Sequence, residues 1–202
     1  MYIPKIFKNE NPEEIEEFIR QNSFGILVSL KNGIPLATHI PIELEERDGK
    51  KVLCGHLARA NEQWRSFDEN KEVLTIFIGP HAYISASWYK GESVPTWNYV
   101  AVHVYGKIRI IEGQDLWQSL KKLVDKYEQA SENPVSIETM SEKMVENQMR
   151  AIVGFEIEIT DIQAKYKLSQ NRNPEDYQRV VEHLQQSPDP IARHVSELMQ
   201  KD

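Results

Sequence analysis

The 202-residue chain contains a single cysteine, Cys54, so no internal disulfide can hold it and its stability has to come from a packed core. It also lacks any apolar run near the ~18 residues of a bilayer-spanning helix, which leaves no membrane partner to expect. Met1-Tyr2-Ile3-Pro4-Lys5-Ile6-Phe7 has no basic flank ahead of a long apolar stretch and no small-residue cleavage site. No secretory signal is therefore read, and a cytoplasmic location is the expectation. Cys54 lies in Val52-Leu53-Cys54-Gly55 and reads as a small buried residue rather than a nucleophile.

Basic charge is scarce. Lys and Arg number 24 against 31 Asp and Glu, a net charge of -7. That disfavours a surface built throughout to grip nucleic acid, because duplex binding draws much of its affinity from neutralised phosphates. The nearest approach to a basic patch is Lys165, Lys167 and Arg172. The chain has no Walker phosphate loop, no GxGxxG, no GxSxG elbow, no HExxH and no CxxC pair. His39, His56, His81 and His103 show neither i,i+2 nor i,i+4 spacing, so no metal site is expected and no catalytic set is assigned. Internal repeats and low-complexity tracts are absent too.

What is present is 40% hydrophobic and 27% charged sequence, the balance of a soluble globular domain. Asn11-Pro12-Glu13-Glu14 opens a helix with Ile15, Phe18 and Ile19 on one face. Strands are expected over 24–30, 36–44 and 51–57, with turns at Lys31-Asn32-Gly33 and Arg47-Asp48-Gly49-Lys50. Asn61 caps a short helix carrying Trp64 and Phe67. Further strands are expected over 73–78, broken at Gly79-Pro80, then 82–87 and 100–111. Helical periodicity follows over 114–128 and 141–149. Val153, Phe155, Ile157 and Ile159 then alternate as a returning strand. Two helices opening at Asn173-Pro174 and Asp189-Pro190 end the chain. The expected organisation is a mainly β barrel domain over 1–172, with a helical insertion over about 114–150, and a helical appendage over 173–202.

Two constellations carry chemistry. Nine of the eighteen aromatics lie between Trp64 and Tyr105, about a fifth of the chain. Around Trp88, Tyr89 and Thr96-Trp97-Asn98-Tyr99 they mix with hydroxyl and amide groups, a composition suited to a flat heteroaromatic ligand with a hydrogen-bonding edge. Gly55-His56-Leu57-Ala58-Arg59-Ala60-Asn61 joins a strand to a helix start, where free N–H groups and Arg59 would hold a phosphate. The polar tract Lys165 to Arg172 either reaches a neighbouring ligand or is a solvated connector.

These segments, together with Ala37-Thr38-His39-Ile40-Pro41, Gly79-Pro80-His81-Ala82-Tyr83-Ile84-Ser85 and Val102-His103-Val104-Tyr105-Gly106, resemble the PaiB family. Its members are described as FMN-binding negative transcriptional regulators, within the pyridoxamine-phosphate-oxidase-like split barrels. The resemblance spans nearly the whole chain. It implies a six-stranded antiparallel split β-barrel with peripheral helices, a homodimer, and FMN between subunits. It places the phosphate near His56, Leu57, Ala58, Arg59 and Asn61, with Trp64 following. It brings Trp88, Thr96, Trp97 and Asn98 toward the isoalloxazine, and lets Lys167, Ser169, Gln170 and Asn171 close the site. The chain departs from the wider superfamily in carrying Arg59-Ala60-Asn61 where the oxidases have a Ser-Arg-Lys grip. A regulator contacting DNA or a protein partner, a flavin-dependent oxidoreductase and a haem-handling barrel are the three functional expectations.

Overall fold

The computed structural model describes residues 1–47, 49–67 and 72–200, so Asp48 of the second expected turn lies outside the described residues. Helix α1 (Pro12–Gln21) begins where expected, with the Asn11 side chain accepting from the N–H of Glu13 at 3.1 Å. A two-residue strand, β1 (Lys8–Asn9), precedes it, and β2 (Phe24–Lys31) follows. β2 turns into β3 (Ile34–Arg47) through Asn32 and Gly33, both at positive φ (53° and 77°). Two positive-φ residues are what a tight hairpin between twisted strands requires. β4 (Lys50–Ala58) continues the antiparallel meander, Arg47 pairing with Lys50.

β5 (Glu72–Ile84) corrects two expectations, since it runs straight through Gly79-Pro80 to take in residues 82–84, while Ser85 caps a 3-10 turn (Ala86–Trp88) where the strand expected over 82–87 would have continued. Proline withdraws one ladder donor without forcing a turn. Gly79 is there for space, because a Cβ at this position would stand 2.6 Å from the Phe18 ring. β6 (Thr96–Ile111) and β7 (Ile152–Lys167) are both longer than the periodicity implied. Between them lie α2 (Gly113–Glu128) and α3 (Glu142–Ala151), and α4 (Pro174–Gln185) and α5 (Pro190–Met199) follow.

The strand order is β1-β7-β4-β3-β2-β5-β6, and a further β6–β7 pairing joins β2 to β7 into a ring of six, as a split barrel demands. The count is nonetheless seven rather than six, because β1 pairs with β7 through Lys8–Lys165 and Asn9–Ala164.

Residues 1–18, 77–103 and 163–202 form one compact unit; residues 19–76 and 104–162 form the other. The second has Leu27, Ile42, Leu53, Leu57, Phe155 and Ile157 in its core, each at most 1% exposed. Burying one such side chain is worth about 1.5–3 kcal/mol. Cys54 is buried there as expected, and burial pushes its thiol up to about 12. α2 is tied to β3 by ions: buried Glu45 accepts from Ser119 Oγ at 3.0 Å and Lys122 Nζ at 2.7 Å. In the first unit Phe77, Ile84, Val100, Val102, Val180 and Val195 are fully buried.

Gly106 is the tightest approach within β6, since a Cβ there would stand 2.4 Å from the Glu158 carbonyl oxygen and 2.5 Å from Ile157 Cγ2. Backbone cannot swing aside as a side chain does. Gly106→Ala is therefore expected to lower unfolding stability by roughly 1–3 kcal/mol, read as a reduced urea midpoint. Gly91→Ala, at a position with open space around it, is the matched control.

Candidate functional site

Of the residues expected at the phosphate end, those at the close of β4 are held by the chain returning into β7. The Arg59 N–H donates to the Ala151 carbonyl at 2.8 Å. Its guanidinium Nε donates to the Arg150 carbonyl at 2.7 Å and Nη2 to the Ile152 carbonyl at 2.8 Å. Two of five guanidinium donors are thus used on backbone, which fixes the plane of an exposed side chain and leaves its outer edge for an anion. Ala58 is exposed beside it, whereas the Leu57 side chain is core. His56 is half-buried, and desolvation holds its pKa below the usual imidazole value, favouring the neutral ring.

Asn61 caps a short 3-10 turn (Glu62–Ser66) by accepting from the Gln63 N–H at 3.0 Å, and donates to Thr38 Oγ1 at 3.0 Å. Trp64 Nε1 donates to the Arg59 carbonyl at 3.0 Å. The side chain that organises this corner is Gln63, 3% exposed, to which the sequence assigned no role. Its amide nitrogen reaches Leu27 O at 3.1 Å, Ser29 Oγ at 3.2 Å and Leu36 O at 3.3 Å, while Thr38 donates to its carbonyl oxygen at 2.5 Å. A glutamine that bridges two strands leaves no local signature, so only the three-dimensional pairing reveals it.

The remaining candidates belong to the other unit, where strand alternation divides them. Thr96 and Asn98 lie on one face of β6 and Trp97 on the opposite face. Lys167 donates to the Thr96 hydroxyl. Burial lowers the Lys167 pKa, and the charges of Lys165 and Arg172 lower it further. A bound anion would relieve that cost. Asn98 is fully buried, and its amide exchanges hydrogen bonds with Ser169 Oγ at 2.9 and 3.1 Å and meets Met199 Sδ at 3.5 Å. Asn98 and Ser169 thereby lock β6 to the turn after β7, where Ser169 takes a positive φ of 65°. Gln170 closes the same turn, accepting from the Leu168 N–H at 2.7 Å and donating to the Tyr166 carbonyl at 2.6 Å; Asn171 is exposed.

On the outer face Trp97 is 51% exposed and its ring meets Tyr83 and His81 at centroid distances of 5.9 and 6.0 Å. Trp88 stacks on His183 of α4 at 4.8 Å and 13°. These rings line a cleft of about 630 Å³ closed by the α4–α5 turn. The helix contribution was invisible in the sequence, where α4 and α5 showed only packing periodicity. Among the described residues no group of three metal-ligating side chains occurs, and no helix is long and apolar enough to cross a membrane.

Comparison with known proteins agrees with this architecture. A family model described as "Putative FMN-binding domain" matches residues 1–161. The protease synthase and sporulation protein PAI 2 of Bacillus subtilis (strain 168) is 49% identical over 200 residues, covering 99% of this chain and 97% of that protein. Among solved structures, the flavocytochrome Anf3 from Azotobacter vinelandii superposes with a TM-score of 0.63 at 15% identity, over 88% of this chain and 78% of that one. The FAD and heme binding protein from Mycobacterium smegmatis gives 0.59 at 14% identity, over 79% and 73%. At those identities the structures attest the split-barrel fold, whereas the family model and the Bacillus relative reach further: this chain belongs to the PaiB family of proteins built on an FMN-binding domain.

Proposed function

We propose that the protein binds FMN as a homodimer and regulates gene expression. The observation that carries the flavin reading is the fixed Arg59 guanidinium, which presents its outer N–H donors at the end of β4. An arginine whose plane is already held loses less side-chain freedom on gripping a phosphate. In the other unit, the Thr96 hydroxyl and the Lys167 amine, whose pKa is depressed, are groups of the kind that hydrogen-bond the polar edge of a flavin ring. The donor set therefore suits FMN. When bound, FMN supplies a redox-active ring; the chain's own residues bind and orient it.

The homodimer reading is supported by the outward face of the meander. Phe24, Ile26, Val28 and Leu30 of β2 sit opposite Pro41, His39, Ala37 and Pro35 of β3. Phe24 is 66% exposed, and Leu30 38%. An apolar sheet face of this kind favours a covering partner, and a second copy placed by a two-fold axis covers both faces at once. The regulatory reading is supported by the name of the Bacillus relative, a sporulation protein. A flavin-dependent oxidoreductase is the second reading, favoured by the aromatic-walled cleft, whose volume suits a small substrate.

FMN titration followed by flavin fluorescence is expected to saturate at one FMN per chain. Arg59→Ala is expected to weaken binding by about tenfold to a hundredfold, the scale of a charge-assisted hydrogen bond to phosphate. No quenching by wild type would remove the flavin reading. Sedimentation should give a particle of twice the 23.5 kDa chain mass, with Phe24→Glu shifting it to the monomer. A wild-type monomer at working concentration would refute the dimer. Direct regulation predicts that the protein retards DNA from upstream of its own gene, with a difference between flavin-free and FMN-loaded protein. Retardation in neither state would refute direct DNA contact.

A further inference from the structure

A cleft of about 750 Å³ opens within the unit formed by residues 19–76 and 104–162. The ends of β3 and β6, the starts of β4 and α2, and β7 wall it, and its volume falls in the range of small-molecule sites. Glu156 lines this cleft and is 6% exposed. Its Oε1 is satisfied twice by Arg109, from Nε at 3.0 Å and Nη2 at 2.9 Å. Its Oε2 is buried and accepts no hydrogen bond, since Arg47 Nη1 stands 3.2 Å away but is not aligned to donate. The other buried carboxylate of this region, Glu45, has a donor on each oxygen, Ser119 Oγ and Lys122 Nζ. A buried oxygen left as Glu156 Oε2 is carries its desolvation cost in full, and a donor on a ligand in the cleft would offset it.

The cleft also holds unspent groups of the opposite kind. Lys50 uses its charge on Glu158 at 3.0 Å and Lys122 on Glu45 at 2.7 Å. Among the described residues, exposed Lys107 makes no hydrogen bond or close ion pair, its charge reaching Glu158 without contact, and the Gln118 amide makes no hydrogen bond either.

The balance of charge selects the occupant. Five cationic and four carboxylate side chains line the cleft. A bare anion would lie against Glu156 and Glu158, and a bare cation against Arg47 and Arg109, so each would meet like charge. A ligand carrying both signs a few bonds apart meets a partner for each. Val52, Phe67, Ile108 and Ile110 supply the apolar part of the lining, which suits a hydrocarbon side chain on that ligand.

The cleft stands apart from the proposed flavin contacts. β4 runs nine residues from Lys50 to Ala58, on the order of 25 Å at about 3.3 Å per residue, and Arg59 follows its far end. β7 repeats the separation, with Ile152 bonded to Arg59 at its start and Glu156 and Glu158 further along. Neither Arg59, Thr96 and Lys167 nor Trp88 and Trp97 line the cleft.

We propose that this cleft binds a free α-amino acid with an apolar side chain, its ammonium donating to Glu156 Oε2, its carboxylate held by Lys107 and its side chain on the apolar wall. The site stands whether or not FMN binds.

The test is isothermal titration of L-leucine into the full chain, flavin-free and FMN-loaded. Saturable binding at one molecule per chain is expected in both. 4-Methylpentanoate, which lacks the ammonium, and 3-methylbutylamine, which lacks the carboxylate, are each expected to bind at least tenfold more weakly, the scale of one hydrogen bond to a charged group. Glu156→Gln and Lys107→Ala are expected to weaken L-leucine by a similar factor. Lys107 is exposed and unpaired, so its variant decides should Glu156→Gln fold poorly. Lys143→Ala, removing an exposed lysine that does not line the cleft, is expected to change nothing. Absence of heat with wild type, or equal binding by wild type and Lys107→Ala, would overturn the site. Binding of 4-methylpentanoate as tight as that of L-leucine, or equal weakening by Lys143→Ala, would overturn the amino-acid assignment in favour of plain attraction of anions. Competition by FMN would overturn the separateness of the site, whereas loss of FMN binding alone would strike the flavin reading and leave this one standing.

Discussion

The hydrogen-bonded ladder that joins β6 to β7 is the constraint on which the rest depends. Without it, the order β7-β4-β3-β2-β5-β6 would be an open sheet with two long edges, each a row of unpaired donors and acceptors. With it, every strand of the ring has a partner on both sides. The pairing is permitted at Gly106, where only a hydrogen fits against the Glu158 carbonyl. It also commits both strands to run well past the lengths that their apolar alternation suggested, so that Thr96 and Lys167, at the two far ends, meet.

Polar groups that might have been ligands are instead used to hold this geometry. Asn98 and Ser169 satisfy one another inside the core, where an unpaired amide would cost about 1–3 kcal/mol. Gln63 bridges the carbonyls of β2 and β3, and Glu45 with Lys122 and Ser119 pins α2 to the sheet. Among the candidate site residues, those left with outward-facing capacity are of different kinds: a cationic edge at Arg59, an amine with a lowered pKa at Lys167, and rings around Trp97.

The meander, the two-residue turn at Asn32-Gly33, the capped helix at Asn11 and both terminal helices were legible because each is written in residues close together in sequence. The break expected at Gly79-Pro80 was misread, since the reason for Gly79 lies in Phe18, some sixty residues earlier, and proline's missing donor does not itself end a strand. The strand β1 was missed because two residues leave no periodicity, and its existence depends on β7. The candidate residues were found as types and as neighbours in sequence. Their grouping was not, because Thr96-Trp97-Asn98 reads as one motif along the chain and becomes two faces once the strand is pleated.

That pleat has a functional consequence. A strand whose alternate residues face a cation-bearing turn and an aromatic cleft offers two chemically opposite surfaces at a separation of one residue. The Lys167 side favours anionic or strongly polar groups, because its amine is already held below its ordinary pKa by burial and neighbouring cations. The Trp97 side offers rings and no cation, so the same anionic group gains nothing there. Discrimination between ligands would then arise from which face of β6 they meet, and a change in one residue of that strand would be felt on one face alone, unless it altered the ladder that fixes both.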